Sequence, residues 1–392
     1  MLTQTNGSKP GKVRPDRLTS YLPGNHLGLL PADFPARLLI GILEGTGIGP
    51  QVVNATLQVL KSVEQAMNLK FEVRHGGLIG ETAVASCGKW LPEVTMEFCA
   101  DIFQVGGAIL SGPGGGRYVY DLRRRFDLFC KFVPVQPAPE LARASRIAPQ
   151  FLKNVDLLIV RDNTGGVYQG RWGDRATDKG RFAEHTFSYS EAEVQRLIEV
   201  AARAATDRRG KLHIIVKEGG VPAISALWRD VGGAVACRHG VEAAFMNVDL
   251  AAYELIQNPA HFDVIAAPNL FGDILADVAG VLVSSRGVTF SGNFDAHGHG
   301  VYQTNHGCAH DLANTDTANP AGQILSLAML LRESFGLDEA AALVEKSLGA
   351  VWRAGWRTAD LAEPDCRILG TKAMADEVAE QILRSAEIAQ LA

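Results

Sequence analysis

From Arg37 onward, short apolar runs alternate with longer amphipathic stretches, and this alternation confines the chain to α/β architectures more tightly than any other feature. Leu38-Leu39-Ile40-Gly41-Ile42-Leu43 reads as a buried strand, and Gly49-Pro50 opens a helix running through Leu60. Further strands are predicted over 101–110, 155–161, 211–216 and 262–267. Helices are predicted over 190–205, 221–230, 272–283, 319–335, 338–354 and 371–389. Asn319-Pro320 is a helix start signal, because Asn caps and Pro suits a first helical position.

Composition removes several function classes. With 392 residues, 47% of them hydrophobic, the chain can bury the core of one large or two medium domains. A net charge of −5 leaves no basic footprint for nucleic acid or an anionic membrane surface. The six cysteines are scattered without a CxxC pair, which reads as reduced thiols in a cytoplasmic protein. No apolar run approaches the roughly 18 residues of a membrane helix. The first 37 residues hold Pro10, Pro15, Pro23, Pro31 and Pro35 and no apolar stretch after Met1. They read as an extension lying on its own or a neighbouring subunit, not as a secretory signal; a targeting presequence is the weaker alternative, because Asp16 and Asp33 interrupt the basic residues.

Four segments carry candidate chemistry. Glu44-Gly45-Thr46-Gly47-Ile48-Gly49-Pro50 is a glycine loop between strand and helix. It lacks the third glycine of a Rossmann turn, yet its amides suit a polar or anionic ligand; a tight turn without a ligand is the alternative. In Asn269-Leu270-Phe271-Gly272-Asp273-Ile274-Leu275-Ala276-Asp277 two aspartates share one helix face, where a hard cation would relieve their repulsion. Otherwise Asp273 favours a helix start and Asp277 is solvated. Arg161 and Tyr168 flank a glycine turn and suit carboxylate binding and proton donation, unless they are a surface arginine and a packed tyrosine. The fourth, Val301 to Asp311, is polar and rich in histidine. A zinc site with His297 and His299 is conceivable there, but a nucleotide-binding loop accounts for it with less strain.

In this order the four segments resemble the isocitrate/isopropylmalate dehydrogenase family of β-decarboxylating dehydrogenases. The resemblance runs from about Leu38 to the C-terminus. It includes Ala318-Asn319-Pro320, Arg332-Glu333-Ser334-Phe335-Gly336-Leu337, Arg357-Thr358-Ala359-Asp360-Leu361 and Leu369-Gly370-Thr371. It implies an α/β, isopropylmalate dehydrogenase-like two-domain fold with a mixed sheet, not a Rossmann fold. Residues 38–132 and 280–392 would form the cofactor domain, and 133–279 the substrate, metal and dimer-interface domain. A homodimer would share its active sites, acting on a small 2-hydroxy acid with no nucleic acid or membrane partner.

The resemblance also implies roles. Asp273 and Asp277 would hold Mg²⁺ or Mn²⁺ together with Asp249 from the other subunit. Lys217, also donated across the dimer, would take the C2 hydroxyl proton, and Tyr168 would protonate the enolate. Arg123 and Arg161 would clamp substrate carboxylates. NAD would lie along Gly45, Thr46, Gly47 and Ile48 and along His306, Gly307, Asp311 and Asn319. The carboxylate of Asp311 favours NAD over NADP, because it accepts from ribose hydroxyls and repels a 2′-phosphate.

Departures cluster near the substrate. The family's Asn-x-Arg-Pro is here Lys131-Phe132-Val133-Pro134, so the second clamp arginine is Val133. Thr46 and Gln51 replace an Asp and a Glu. Glu218-Gly219-Gly220 replaces Ala-Asn after Lys217, and Gln303-Thr304-Asn305 replaces Glu-Pro-Ile. The segment Gly114 to Tyr120 matches neither the isopropylmalate nor the isocitrate pattern. The expected substrate is 3-isopropylmalate, with tartrate, D-malate, isocitrate or a specialised malate as alternatives. A catalytically weakened regulatory subunit is the alternative of a different kind.

Overall fold

The structure is a computed structural model that describes residues 17–25 and 38–391. In chain order, β1 (Leu39–Leu43) leads through the glycine loop into α1 (Gly49–Met67), followed by β2 (Glu72–His75), α2 (Gly80–Cys87) and α3 (Glu93–Gln104). Then come β3 (Ala108–Ser111), α4 (Tyr118–Arg125), β4 (Cys130–Val135), the single turn α5 (Pro149–Leu152) and β5 (Leu157–Asp162). A hairpin of β6 (Arg171–Thr177) and β7 (Gly180–Thr186) precedes α6 (Glu191–Asp207), β8 (Lys211–Val216) and α7 (Pro222–His239). Next are β9 (Glu242–Asn247), α8 (Val248–Gln257), β10 (Val264–Ala267) and α9 (Asn269–Ala279). The chain ends with β11 (Phe290–Phe294), β12 (Gly300–Thr304), α10 (Ala321–Glu333), α11 (Asp338–Arg353), the short pair β13 (Trp356–Arg357) and β14 (Arg367–Ile368), and α12 (Thr371–Leu391).

Ten strands form one mixed sheet in the order β2-β1-β3-β12-β11-β4-β5-β10-β8-β9. The outer four on each side run parallel within their group, as crossover helices require. Antiparallel pairing of β11 with β12, β4 with β11 and β5 with β4 joins the two groups. The parallel strands are buried apolar runs; β1 and β5, for example, are buried throughout. On one group α1 packs on α12 and α10 on α11; on the other α6 packs on α7. The mixed α/β sheet expected from the resemblance is therefore present.

Some local expectations are corrected. The strand predicted over 101–110 is the end of α3 followed by a turn and β3. Cys99, Ile102 and Phe103 are buried at helical spacing, and the continuous apolar run concealed that period. The helix predicted over 221–230 continues to His239 through Gly232-Gly233, because a Cβ on Gly232 would meet Ile214 Cδ1 at 2.6 Å. The helix predicted from 272 starts at Asn269 and ends at Ala279. Asn319 does cap α10, accepting from the Ala321 amide at 2.9 Å, but Pro320 occupies the cap position and the first helical residue is Ala321. Within the N-terminal extension, residues 17–25 form two 3₁₀ turns on the chain's own body. Leu22 is fully buried, and the Thr19 amide donates to Glu333 Oε2 at 2.9 Å. The rest of the extension lies outside the described residues.

Candidate active site

Arg161, at the end of β5, is 1% exposed although it is a guanidinium. Its side chain crosses α9 at Gly272, where a Cβ would lie 2.7 Å from Arg161 Cγ, so only glycine leaves the path open. Its tip is then fixed by α9 itself, with NH2 donating to Asn269 Oδ1 at 2.8 Å and NH1 paired with Asp273 Oδ1. The turn after β5 is held from the opposite face. Asp162 accepts from the Gly165 amide at 2.9 Å and from Tyr189 OH at 3.1 Å, and burial pushes its carboxyl up to about 6. The turn delivers Tyr168, whose hydroxyl donates to Asp273 Oδ2 at 2.9 Å. Burial and the Asp273 carboxylate both hold that phenol well above its ordinary range, keeping it protonated and able to donate.

Asp273 is therefore engaged at both oxygens, and the charge of Arg161 leads those holding its pKa down against burial. Asp277, one turn on, pairs with Arg286 at 3.0 Å. The repulsion expected between these carboxylates is thus met by one arginine each. Arg123, from α4, is 3% exposed, and its Nε has no partner. Burial, then the charge of Arg161, lowers its pKa to about 10. Its guanidinium lies 5.9 Å from the Tyr120 ring centroid, and that ring packs on Tyr168 at 5.1 Å. The structure thus brings Arg123, Arg161, Tyr168, Asp273 and Asp277 together.

It does not bring Lys217 and Asp249 to them. These two pair with each other at 2.7 Å, on residues 40% and 67% exposed. Among the described residues no group of three or more His, Cys, Asp or Glu side chains is placed to hold a metal. The zinc alternative at His297, His299, His306 and His310 therefore has no ligand set. The altered stretch after Lys217 is a closed turn, in which the Gly220 and Val221 amides donate to the Lys217 carbonyl at 3.1 and 2.8 Å.

The glycine loop meets the histidine-rich segment. The Thr46 amide donates to Pro113 O at 2.7 Å and the Ile48 amide to Cys308 O at 2.9 Å. Gly45 and Gly47 are required by φ values of +83° and +64° and by backbone oxygens 2.2 Å from where a Cβ would stand. The amides of Thr46 and Ile48 are thus spent within the chain and do not face a ligand. What the loop offers is an apolar floor of Ile48, Val52 and Ala318, with Ala309 against it. In the same segment His306 donates from Nδ1 to Gly307 O at 3.0 Å, leaving Nε2 buried and without a partner. Burial lowers its pKa and keeps it neutral. Asn319 is committed at both ends, to the Ala321 amide and, at 3.0 Å, to Asp360. Asp311 is exposed. Cys308 is buried with its thiol pushed up to about 11, so it fills space and is no nucleophile.

The family profile for isocitrate/isopropylmalate dehydrogenase matches residues 39–378. The chain belongs to the isocitrate/isopropylmalate dehydrogenase family. It is thereby an NAD(P)-dependent decarboxylating dehydrogenase by family. Among its relatives, a 3-isopropylmalate dehydrogenase of Priestia megaterium is 36% identical over 366 residues, covering 90% of this chain and 98% of that protein. Another from Burkholderia thailandensis is 38% identical over 360 residues, covering 86% and 98%. The crystal structure of isocitrate dehydrogenase from Methylococcus capsulatus superposes with a TM-score of 0.78 at 28% identity, covering 88% of this chain and 99% of that one. A second crystal structure, of a Thermus thermophilus protein, gives 0.77 at 26% identity, covering 90% and 70%.

Sequence reasoning overlooks two features of this dehydrogenase site. Asn269 and Gly272 give Arg161 its partner and its path, and only the contact with α9 reveals them. Lys131 stands out in the sequence as a departure but without a role. A lone charge inside Phe129-Cys130-Lys131-Phe132-Val133 is the available signal.

Proposed function

We propose that this protein oxidises a (2R)-malate-type 2-hydroxy acid with NAD and releases its β-carboxylate as carbon dioxide, with 3-isopropylmalate as the first substrate to test. The observation carrying this reading is the joint engagement of Asp273 by Arg161 and Tyr168, beside the unpaired Arg123. This grouping supports a carboxylate clamp, a proton donor and a metal-ligand face at one place.

The donor set fits a hard divalent ion, because Asp273 and Asp277 present carboxylate oxygens from one helix face. Asp249 of a second protomer would complete it. The bare Nε2 of His306 fits the exocyclic amine of an adenine, the apolar cluster at Ile48 fits its ring, and exposed Asp311 fits ribose hydroxyls. When bound, NAD accepts the hydride and the divalent ion polarises the developing carbonyl.

The chain's own residues do the rest. Arg123 and Arg161 fix the carboxylates, so the C2 hydrogen faces the cofactor. Lys217 of a second protomer takes the hydroxyl proton. After carbon dioxide leaves, Tyr168 donates its proton to the enolate carbon. A shared site agrees with the surface around it. Asp249 lies beside exposed Leu250 and Tyr253, Ile274 is exposed next to Asp273, and the β6–β7 hairpin is solvent-facing throughout. We divide the chain, as a further part of this reading, into a cofactor domain of 38–132 and 280–392 and a substrate domain of 133–279.

The test is reduction of NAD by the purified protein with Mn²⁺ and 3-isopropylmalate, isocitrate, tartrate, D-malate or 3-methylmalate, with carbon dioxide followed in parallel. Equal amounts of reduced cofactor and carbon dioxide from one substrate are expected. Reduced cofactor without carbon dioxide would remove decarboxylation, and no turnover together with no NAD binding would favour a regulatory subunit.

A further inference from the structure

Lys131 stands in β4 directly opposite Arg161 of β5, and opposite Asn293 of β11 on its other side. Residues opposed in a ladder project from the same face, with Cβ atoms about 5 Å apart, and like charges so placed destabilise the pair. Lys131 is 4% exposed, yet among the described residues no hydrogen bond or ion pair holds its ammonium group. The charges acting on it, after burial, are Arg123 and Arg161, which repel it, and Asp273 and Asp277, which attract it. Asp273 is already bound to Arg161 and Asp277 to Arg286. Arg123 likewise has no ion pair among the described residues. Three buried cations thus face this site with one carboxylate between them. A buried cation without a counter-ion costs stability, and an incoming anion removes that cost.

The family pattern has Asn at 131 and Arg at 133. Val133 lies opposite Ile159, on the same strand face as Lys131 and two residues further along. A two-residue step along a strand is about 6.7 Å. The positive charge has therefore been shifted by one pleat toward Arg161, not lost.

We propose that Lys131 is a substrate-recognition residue, whose ammonium group binds a carboxylate of the 2-hydroxy acid in place of the guanidinium at position 133. The inference rests on the dehydrogenase reading above. It names the substrate class as a hydroxy acid with at least two carboxylates, one of them read by a point donor instead of a planar fork. An ammonium accepts a carboxylate in more orientations than a guanidinium does. The neighbouring segment also differs, with Arg117 lying 5.3 Å from the Tyr120 ring centroid and 4.5 Å from that of Trp172.

Lys131→Met keeps the length of the side chain and removes its charge. For whichever acid of the panel the wild-type protein turns over, the variant's KM is expected to rise about tenfold or more, with the KM for NAD within about twofold. Its melting temperature is expected to rise as well, because the repulsion with Arg123 and Arg161 is gone. A merely structural lysine would not give opposite signs in binding and stability. Lys131→Asn/Val133→Arg, which restores the usual pair, is expected to recover the KM for 3-isopropylmalate beyond what Lys131→Asn alone shows. An unchanged substrate KM in Lys131→Met, with an active wild type, overturns the role of Lys131 alone. A wild type that neither binds NAD nor turns over any acid overturns the dehydrogenase reading and this one with it.

Discussion

His213 is the residue whose titration connects most directly to folding. It is 2% exposed on β8, wedged between the rings of His261 at 4.9 Å and Phe262 at 4.7 Å, and its Nδ1 has no partner. Burial, then the charges of His261 and Lys211, lowers its pKa to about 4 from 6.5. A histidine depressed in this way is neutral in the fold and takes up a proton more readily when unfolded. Its contribution is complete above the unfolded pKa near 6.5 and disappears as pH falls through about 4, removing up to about 3 kcal/mol. Denaturant titration of His213→Leu should lose much less stability between pH 7 and pH 4 than the wild type does; identical losses would refute this. At this scale the sequence was informative wherever chemistry is stated by residue type. Arg123, Arg161, Tyr168, Asp273 and Asp277 do converge. It was silent where the role comes from an opposed strand. Lys131 acquires its meaning only from the register that places Arg161 beside it.

Helix α9 shows how an element turns local sequence into a site. Its two aspartates share a face, and its first residue, Asn269, reaches back to Arg161. The glycine between them lets the arginine pass. Gly272→Ala should raise helix propensity by about 1 kcal/mol, so any loss must come from the contact with Arg161. That contact has little room to yield, because the new Cβ would stand 2.7 Å from Arg161 Cγ and 3.2 Å from Ala267 Cβ. We expect Gly272→Ala to fold with unchanged circular dichroism, to lose about 1–3 kcal/mol through overpacking, and to raise the substrate KM severalfold. An unaltered KM would show that the path of Arg161 is not what the glycine protects. Boundaries such as these were hard to place from sequence. The starts of α9 and α10 depend on which side chain meets an amide, and the end of α3 lies inside one unbroken apolar run. The glycine loop is only partly legible for the same reason. Its amides are donors by sequence, but the close approach of Pro113 and Cys308 consumes those of Thr46 and Ile48.

In the whole molecule, the proposed proton acceptor and the proposed metal face have separate partners within one chain. Lys217 and Asp249 neutralise one another in solvent, whereas Asp273 is held by Arg161 and Tyr168. No rearrangement of a single protomer is needed to join them if a twofold axis passes near α8 and α9, which pack on each other and expose Leu250, Tyr253 and Ile274. The sheet order was beyond the sequence, because parallel neighbours are set by crossovers and not by local pattern. The proposed shared site has a direct test in subunit exchange. Lys217→Ala and Asp273→Asn should each be inactive as homodimers. Mixed by subunit exchange, half of the dimers carry one variant of each kind. In those, one site receives an intact Lys217 from one protomer and an intact Asp273 from the other, while the second site lacks both. The mixture should therefore regain about a quarter of wild-type turnover, following the statistics of random pairing in a twofold dimer. If every site were built within one protomer, no pairing could restore either residue to the other, and the mixture would stay as inactive as its parts.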